Sequence, residues 1–129
     1  MVKIKVKGQD YILRFDMSVS EWMEQEYGDL RNAVTDMRKP GKGREMLTGI
    51  FLCMANAAED YLGTGKIYRK EDVQLIDRHT SMGRVAAIRR AIEEAIKDGS
   101  AMQSTDEDGD TQVRDDYLEE VKRLEAEKN

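Results

Sequence analysis

Apolar and charged residues alternate at the start of the chain. Val2, Ile4 and Val6 are separated by three lysines, which is the period-two pattern of a half-buried strand. The letters "GQD" then predict a turn, and the alternation resumes from Tyr11 to Phe15. We therefore predict a β-hairpin whose lysines face water and discourage pairing between sheet edges.

A helical period follows the hairpin. Apolar residues lie three and four positions apart from Val19 to Met37, which draws one apolar helix face. Ser18 or Ser20 is expected to cap the start of this run. The "GD" pair at 28–29 is expected to divide it into two helices, because glycine is unfavourable inside a helix.

The same period recurs in three later segments. Residues 47–62 have the broadest apolar face and predict a central helix, with Gly63 in the left-handed position after its end. Residues 70–79 predict a short helix, and residues 82–97 predict a long one that ends at the "GS" pair, 99–100. The pattern thus indicates a helical body behind the hairpin.

The end of the chain has a different composition. Residues 98–112 have almost no apolar content and predict a flexible acidic linker. Residues 113–129 place apolar side chains at four-, four- and three-residue steps from Val113 to Leu124, which predicts an amphipathic helix that either docks on the body or waits for a partner. The predicted fold is mainly α (α+β), with the N-terminal β-hairpin packed on a bundle of four to five helices, the hairpin and body occupying residues 1–97.

Length and charge narrow the function. The 129 residues suit one domain with a tail. Residues 1–97 carry 17 Lys and Arg against 15 Asp and Glu, whereas residues 98–129 carry four against eleven. A nearly neutral body with an acidic tail disfavours nucleic-acid binding, which needs clustered positive charge. No apolar run approaches the ~20 residues that span a bilayer, no signal peptide is indicated, and a single cysteine suits a reducing cytoplasm.

One segment invites a DNA-binding interpretation. The stretch "TSMGRVAAIRRAIEEAI" follows "YRKEDVQLIDRH", an order typical of a helix-turn-helix motif. However, Arg89 is four residues before Glu93, and Arg90 is four residues before Glu94, so each arginine is expected to pair on its own helix. A regulator using residues 70–97 remains an alternative function.

Residues with reactive or metal-binding side chains are sparse. Cys53 and His79 are the only cysteine and histidine, so a zinc site of several Cys and His ligands is excluded. The acidic stretch starting at Asp106 lacks the glycine and final glutamate of a calcium-binding loop. We predict no enzymatic activity, no cofactor and no metal. The eight methionines fit a core or an adaptable binding surface.

The order of these signals resembles the tail assembly chaperones of long-tailed (siphovirus-type) bacteriophages and prophages. The resemblance covers roughly residues 1–97 and rests on "YILRFD", then "SVSEWMEQEYGDL", then "KEDVQLID" before a helix ending in "AIEEAI". It implies a non-enzymatic protein of the host cytoplasm, absent from the mature virion, that binds the tape measure protein and helps recruit tail tube subunits. It also implies that this chain is the shorter of two forms related by a ribosomal frameshift. Another small structural phage tail protein is a further alternative.

With this resemblance, the apolar helix faces become candidate contacts for a partner. A homo-oligomer is possible, and neither nucleic acid nor membrane is an expected partner. Each candidate residue could instead belong to the core. The predicted partner-binding residues are Trp22, Met23, Tyr27, Leu30, Tyr117 and Leu118.

Overall fold

The computed structural model describes residues 1–39, 41 and 43–106. Strands β1 (Val2–Val6) and β2 (Gln9–Leu13) form an antiparallel hairpin in which Val6 lies opposite Gln9. Lys7 and Gly8 form the turn with φ angles of 51° and 81°. The predicted turn at "GQD" was therefore placed too late, because a two-residue turn with positive φ angles matches the twist of the strands best.

Four helices follow the hairpin within the described residues: α1 (Met17–Tyr27), α2 (Leu30–Asp36), α3 (Gly43–Leu62) and α4 (Met82–Asp106). The predicted α+β class, with a hairpin on a mainly helical body, is confirmed. Strand β2 packs on α3, β1 packs on α4, and α1 packs on α2 and α3. The most deeply buried side chains, at most 1% exposed, include residues of β2 and of all four helices: Leu13, Val19, Met23, Ala33, Val34, Ile50, Phe51, Met54, Ile88, Ile92 and Ile96.

The N-cap of helix α1 is Asp16, which is two residues before Ser18. The carboxylate of Asp16 accepts hydrogen bonds from the backbone N–H of Val19 at 3.3 Å and from Ser18 Oγ at 2.6 Å. The prediction of Ser18 or Ser20 as the cap was wrong, because the acidic side chain just before them already satisfies the free N–H.

The predicted division of the run from Val19 to Met37 into two helices is confirmed. Gly28 has a φ of 82° and ends α1, and the side chain of Asp29 accepts from the N–H of Arg31 at 2.8 Å to start α2. Gly63 likewise has a φ of 72° directly after α3. Left-handed backbone at these two positions is accessible to glycine at little steric cost.

Residues 63–81 form a connecting segment in which no helix occurs. The predicted helix over 70–79 is therefore wrong. Lys7 Nζ donates to the carbonyl of Gln74 at 2.6 Å, and Arg44 Nη2 donates to the carbonyl of Ile76 at 3.2 Å. These tertiary bonds tie the segment to the hairpin turn and to α3. Residues 70–97 thus contain the first part of α4 but not the first helix of a helix-turn-helix motif.

Helix α4 passes through the predicted stop at 99–100 and reaches Asp106. The prediction of a linker starting at residue 98 was therefore wrong for 98–106. At Gly99 the helix crosses the backbone of Phe15 so closely that a Cβ would overlap the Phe15 carbonyl oxygen. Glycine here permits close packing and does not end the helix. The rest of the predicted linker, 107–112, and the predicted helix 113–129 lie outside the described residues.

A buried ion pair joins α4 to the end of α2. Glu93 is 1% exposed, and its carboxylate accepts from Arg38 Nε at 3.0 Å and from Arg38 Nη2 at 2.9 Å. The predicted pairing of Arg89 with Glu93 was wrong, since Glu93 faces inward toward another element. Arg89 Nε is buried and has no hydrogen-bond partner in the described part of the chain.

Candidate partner-binding groove

An open apolar groove runs between α1, α3 and the connecting segment. Its floor is a strip of α3 on which Gly49, Cys53 and Ala57 recur every fourth residue beside Leu52, which is 6% exposed. Small residues at this spacing lie on one helix face, so the side chains on that face rise little above the helix backbone. We call this site, with a volume of about 580 Å³, the Trp22 groove; it is lined by Ser18, Trp22, Gly49, Leu52, Cys53, Asn56, Ala57, Tyr68 and Lys70.

Trp22 forms one wall of the Trp22 groove. Its ring meets that of Tyr27 edge to face, with centroids 5.8 Å apart and planes at 86°. Both side chains are half-buried and lie over Gly49, where a Cβ would be 3.3 Å from Trp22 Cη2 and from Tyr27 Oη. The absence of a side chain at Gly49 therefore allows the two rings to pack closely on α3.

Tyr68 forms the opposite wall. Its backbone N–H donates to Asn56 Oδ1 at 2.7 Å, and its carbonyl accepts from Asn56 Nδ2 at 3.0 Å. Its hydroxyl donates to Glu59 Oε2 at 2.6 Å, and its ring contacts that of Tyr11 at 5.2 Å. Burial, together with the hydrogen bond to Glu59, raises the pKa of Tyr68 to about 12. The hydroxyl is thus a fixed donor at neutral pH.

The groove offers packing surface and one basic group. Among the described residues that line it, Lys70 carries the single full charge. Burial, and then the nearby Asp16 carboxylate, raises the pKa of the Cys53 thiol to about 11. At neutral pH this thiol is almost entirely protonated, a state unsuited to nucleophilic attack.

No metal-binding cluster of three or more His, Cys, Asp or Glu occurs in residues 1–39, 41 and 43–106. His79 is exposed, and its backbone N–H donates to Asp77 Oδ1 at 2.8 Å. In that same part of the chain, no helix combines the length and apolarity needed to cross a membrane.

The structure separates the predicted contact residues of the first helical run. Trp22 lines the groove and Tyr27 supports it. Met23 is fully buried, and Leu30 is only 3% exposed, so both belong to the core in this conformation. Neither side chain lies on the open face, because the apolar stripe is wider than that face, and their contact with a partner stays a prediction.

Two further predicted contacts, Tyr117 and Leu118, lie outside the described residues. The α3 floor was not predicted as part of a groove, because the sequence pattern assigned residues 47–62 only to a central helix with a broad apolar face. The signal was present in the four-residue spacing of Gly49, Cys53 and Ala57, which marks a shallow strip on an otherwise large-residue face.

Exposed apolar side chains adjoin both walls of the Trp22 groove in sequence. Met17, 65% exposed, precedes Ser18, and Ile67, 71% exposed, precedes Tyr68. Four other methionines, at 23, 37, 46 and 54, are buried in the core. Adaptable methionine surface is therefore found here at Met17, not along the whole helical face.

Comparison with known proteins returned no match: no family model, curated protein or solved structure is similar to the chain.

Proposed function

We propose that this protein is a non-enzymatic tail assembly chaperone of a long-tailed bacteriophage or prophage. In this role it acts in the host cytoplasm, binds and solubilises the tape measure protein, and helps recruit tail tube subunits. The proposal combines the resemblance of residues 1–97 with one structural observation, the open apolar groove at Trp22.

The groove supports a protein client because its walls are aromatic and its floor is apolar. Amphipathic helices commonly bind by laying apolar side chains into such a groove. Trp22 and Tyr68 supply large contact area, and tryptophan and tyrosine often dominate binding energy. Met17 and Ile67, adjacent to these walls in sequence, are further exposed apolar side chains on the same two elements.

The proposed client has matching chemistry. A long helical protein exposes apolar stripes before assembly, and large exposed apolar patches favour aggregation. Covering a stripe with the Trp22 groove removes that surface from water. Lys70 at the rim would favour clients that carry an acidic side chain beside the stripe.

The first experiment co-expresses the chain with the tape measure protein of the same phage and measures how much of the client is soluble and co-purifies. Ala57→Arg fills the groove floor, whereas the matched control Ala87→Arg alters another half-buried helical alanine, on α4. We expect the wild type and Ala87→Arg to retain the client and Ala57→Arg to lose it. An insoluble client with the wild type, or equal capture by both variants, contradicts the proposal.

The fluorescence of Trp22 reports client binding directly, because Trp22 is the only tryptophan in the sequence. Titration with a tape measure segment that lacks tryptophan should change its emission. Tail tube recruitment is tested by adding tail tube protein to the chaperone–client complex and measuring a ternary complex. Stoichiometric amounts of this chain in purified virions would instead identify a structural tail protein.

A further inference from the structure

A second groove lies at the opposite end of α4 from Asp106, between the α2–α3 connection and the end of the connecting segment. Its apolar surface comes from buried Met37, Leu47 and Ile76, from half-buried Val85, and from Met82, which is 80% exposed. We call this site, with a volume of about 400 Å³, the basic groove.

Positive charge surrounds this apolar surface. Among the described residues that line it, Asp77 supplies the single carboxylate. The cations that line it are Arg38, Lys39, Arg44, Arg78 and Arg89.

Two of these cations already have acidic partners. Arg38 pairs with buried Glu93, and Lys39 Nζ lies 2.9 Å from Asp36 Oδ1. Asp77 is paired with Lys7 at 3.1 Å. The groove therefore has more positive charge than its own carboxylates neutralise.

The three other arginines have no acidic partner among the residues that the structure describes. Arg44 donates to a backbone carbonyl, Arg78 is exposed, and Arg89 Nε is buried without a hydrogen-bond partner. A buried donor without a partner is costly. A ligand that carries both acidic and apolar side chains would neutralise the positive charge and cover the open apolar surface.

We propose that the basic groove binds the acidic C-terminal segment, residues 107–129, of the same chain. This segment carries nine acidic and four basic side chains and has apolar residues at Val113, Tyr117, Val121 and Leu124. Its charge is opposite to that of the groove, and its apolar side chains would pack on the exposed Met82.

The segment is long enough to reach the basic groove from the end of α4. Arg89 is 17 residues before the end of α4 at Asp106, which corresponds to about 26 Å along a helix. A 23-residue segment spans up to about 75 Å when extended. Because it is tethered, docking within one chain has a high effective concentration and can outcompete a free ligand of similar chemistry.

The test uses the full chain with Cys53→Ala and Lys122→Cys, a nitroxide label on the new cysteine, and the amide NMR signals of the body. Lys122 is a charged position of the segment, so the apolar residues are unchanged. We expect strong broadening at Met82 and Val85 and little at Ser18 in the Trp22 groove. Broadening at Ser18 instead, or at neither groove, overturns the proposal.

Charge reversal provides the matched comparison. Arg78→Glu lies in the basic groove, and Arg84→Glu is an equally exposed arginine on α4 outside its lining. Loss of a surface ion pair worth up to ~1 kcal/mol lowers the docking equilibrium by about fivefold. We expect Arg78→Glu to reduce broadening at Met82 and Arg84→Glu to leave it nearly unchanged, and equal effects contradict the assigned site.

The same samples separate docking within one chain from exchange between copies. Spin-labelled chain without ¹⁵N is mixed with unlabelled ¹⁵N chain at equal concentration. We expect no broadening at Met82 in this mixture. Broadening there would show that a second copy supplies the segment and would overturn the intramolecular proposal.

Discussion

Replacing Gly99 with alanine tests the path of α4 across the hairpin exit. In an exposed helix interior, glycine to alanine stabilises by about 1 kcal/mol. At Gly99 the added Cβ would overlap the carbonyl oxygen of Phe15 and lie 3.0 Å from the Phe15 Cβ. Overpacking of this kind costs about 1–3 kcal/mol, and the obstacle is backbone that cannot rotate away. The cost is therefore expected at the upper end, about 3 kcal/mol, and the gain of about 1 kcal/mol reduces it to a net loss of about 2 kcal/mol.

Urea unfolding followed by Trp22 fluorescence and far-UV circular dichroism measures this loss. With a slope of about 1.5 kcal/mol/M, the unfolding midpoint should fall by about 1.3 M. The control is Gly83→Ala in the first turn of α4, where the nearest atom to an added Cβ is Ser81 Oγ at 4.0 Å. Gly83→Ala should leave the midpoint unchanged or raise it. A rise with Gly99→Ala as well would refute the close crossing.

Replacing Glu93 with alanine should lower the free energy of unfolding by about 3 kcal/mol, because the largely buried Arg38 guanidinium loses its carboxylate; a urea titration showing almost no loss would contradict this. Cys53 should react with a disulfide reagent at pH 8 roughly 10-fold more slowly than a model thiol, because its pKa is raised from 9.0 to about 11. The thiolate fraction falls about 100-fold, and the greater nucleophilicity of a more basic thiolate recovers about 10-fold; a rate equal to that of the model thiol would be the contrary result. Asp77 has a pKa held below its ordinary 3.8, chiefly by the backbone N–H of His79; the stability it contributes is present above 3.8 and lost as pH falls through the lower folded value. Asp77→Asn should therefore flatten the acid side of the stability–pH curve, and an unchanged curve would count against it.

Elements with a strong period could be predicted from the sequence because one local pattern determines them. The alternation from Val2 to Val6 predicts β1. The glycine at position 28 predicts the division into two helices, although the apolar stripe continues from the first helix into the second. Gly63 follows α3 in the left-handed conformation. In each case, the preferred local conformation agrees with the tertiary fold.

The errors arose where tertiary contacts decide the conformation. Residues 70–79 have apolar spacing compatible with a helix, but Lys7 and Arg44 bind carbonyls there from distant elements. Gly99 looked like a helix stop, but its role depends on the backbone that α4 crosses. Neither contact leaves a local signature in the sequence.

The candidate site was predicted only in part for a related reason. Periodicity places Trp22 and Met23 on one broad stripe, although neighbouring residues on a helix point about 100° apart. Met23 faces the core and Trp22 lies at its edge, next to the small residues Gly49 and Ala57 of α3. The choice between core and groove depends on the partner helix, which a single helix pattern does not contain.

Packing of β1 against α4 has a consequence for synthesis of the protein on the ribosome. Strand β1 pairs with β2 in the hairpin, but helix α4, which also packs on it, is added only when synthesis has passed the buried α4 residues 88–96. At about 5–20 residues per second, that interval is on the order of 5–20 s. Throughout it, the nascent hairpin and the apolar face of α3 lack the helix that covers them, so a pause in translation before Ile88 prolongs the time in which the incomplete chain can aggregate or meet a folding helper.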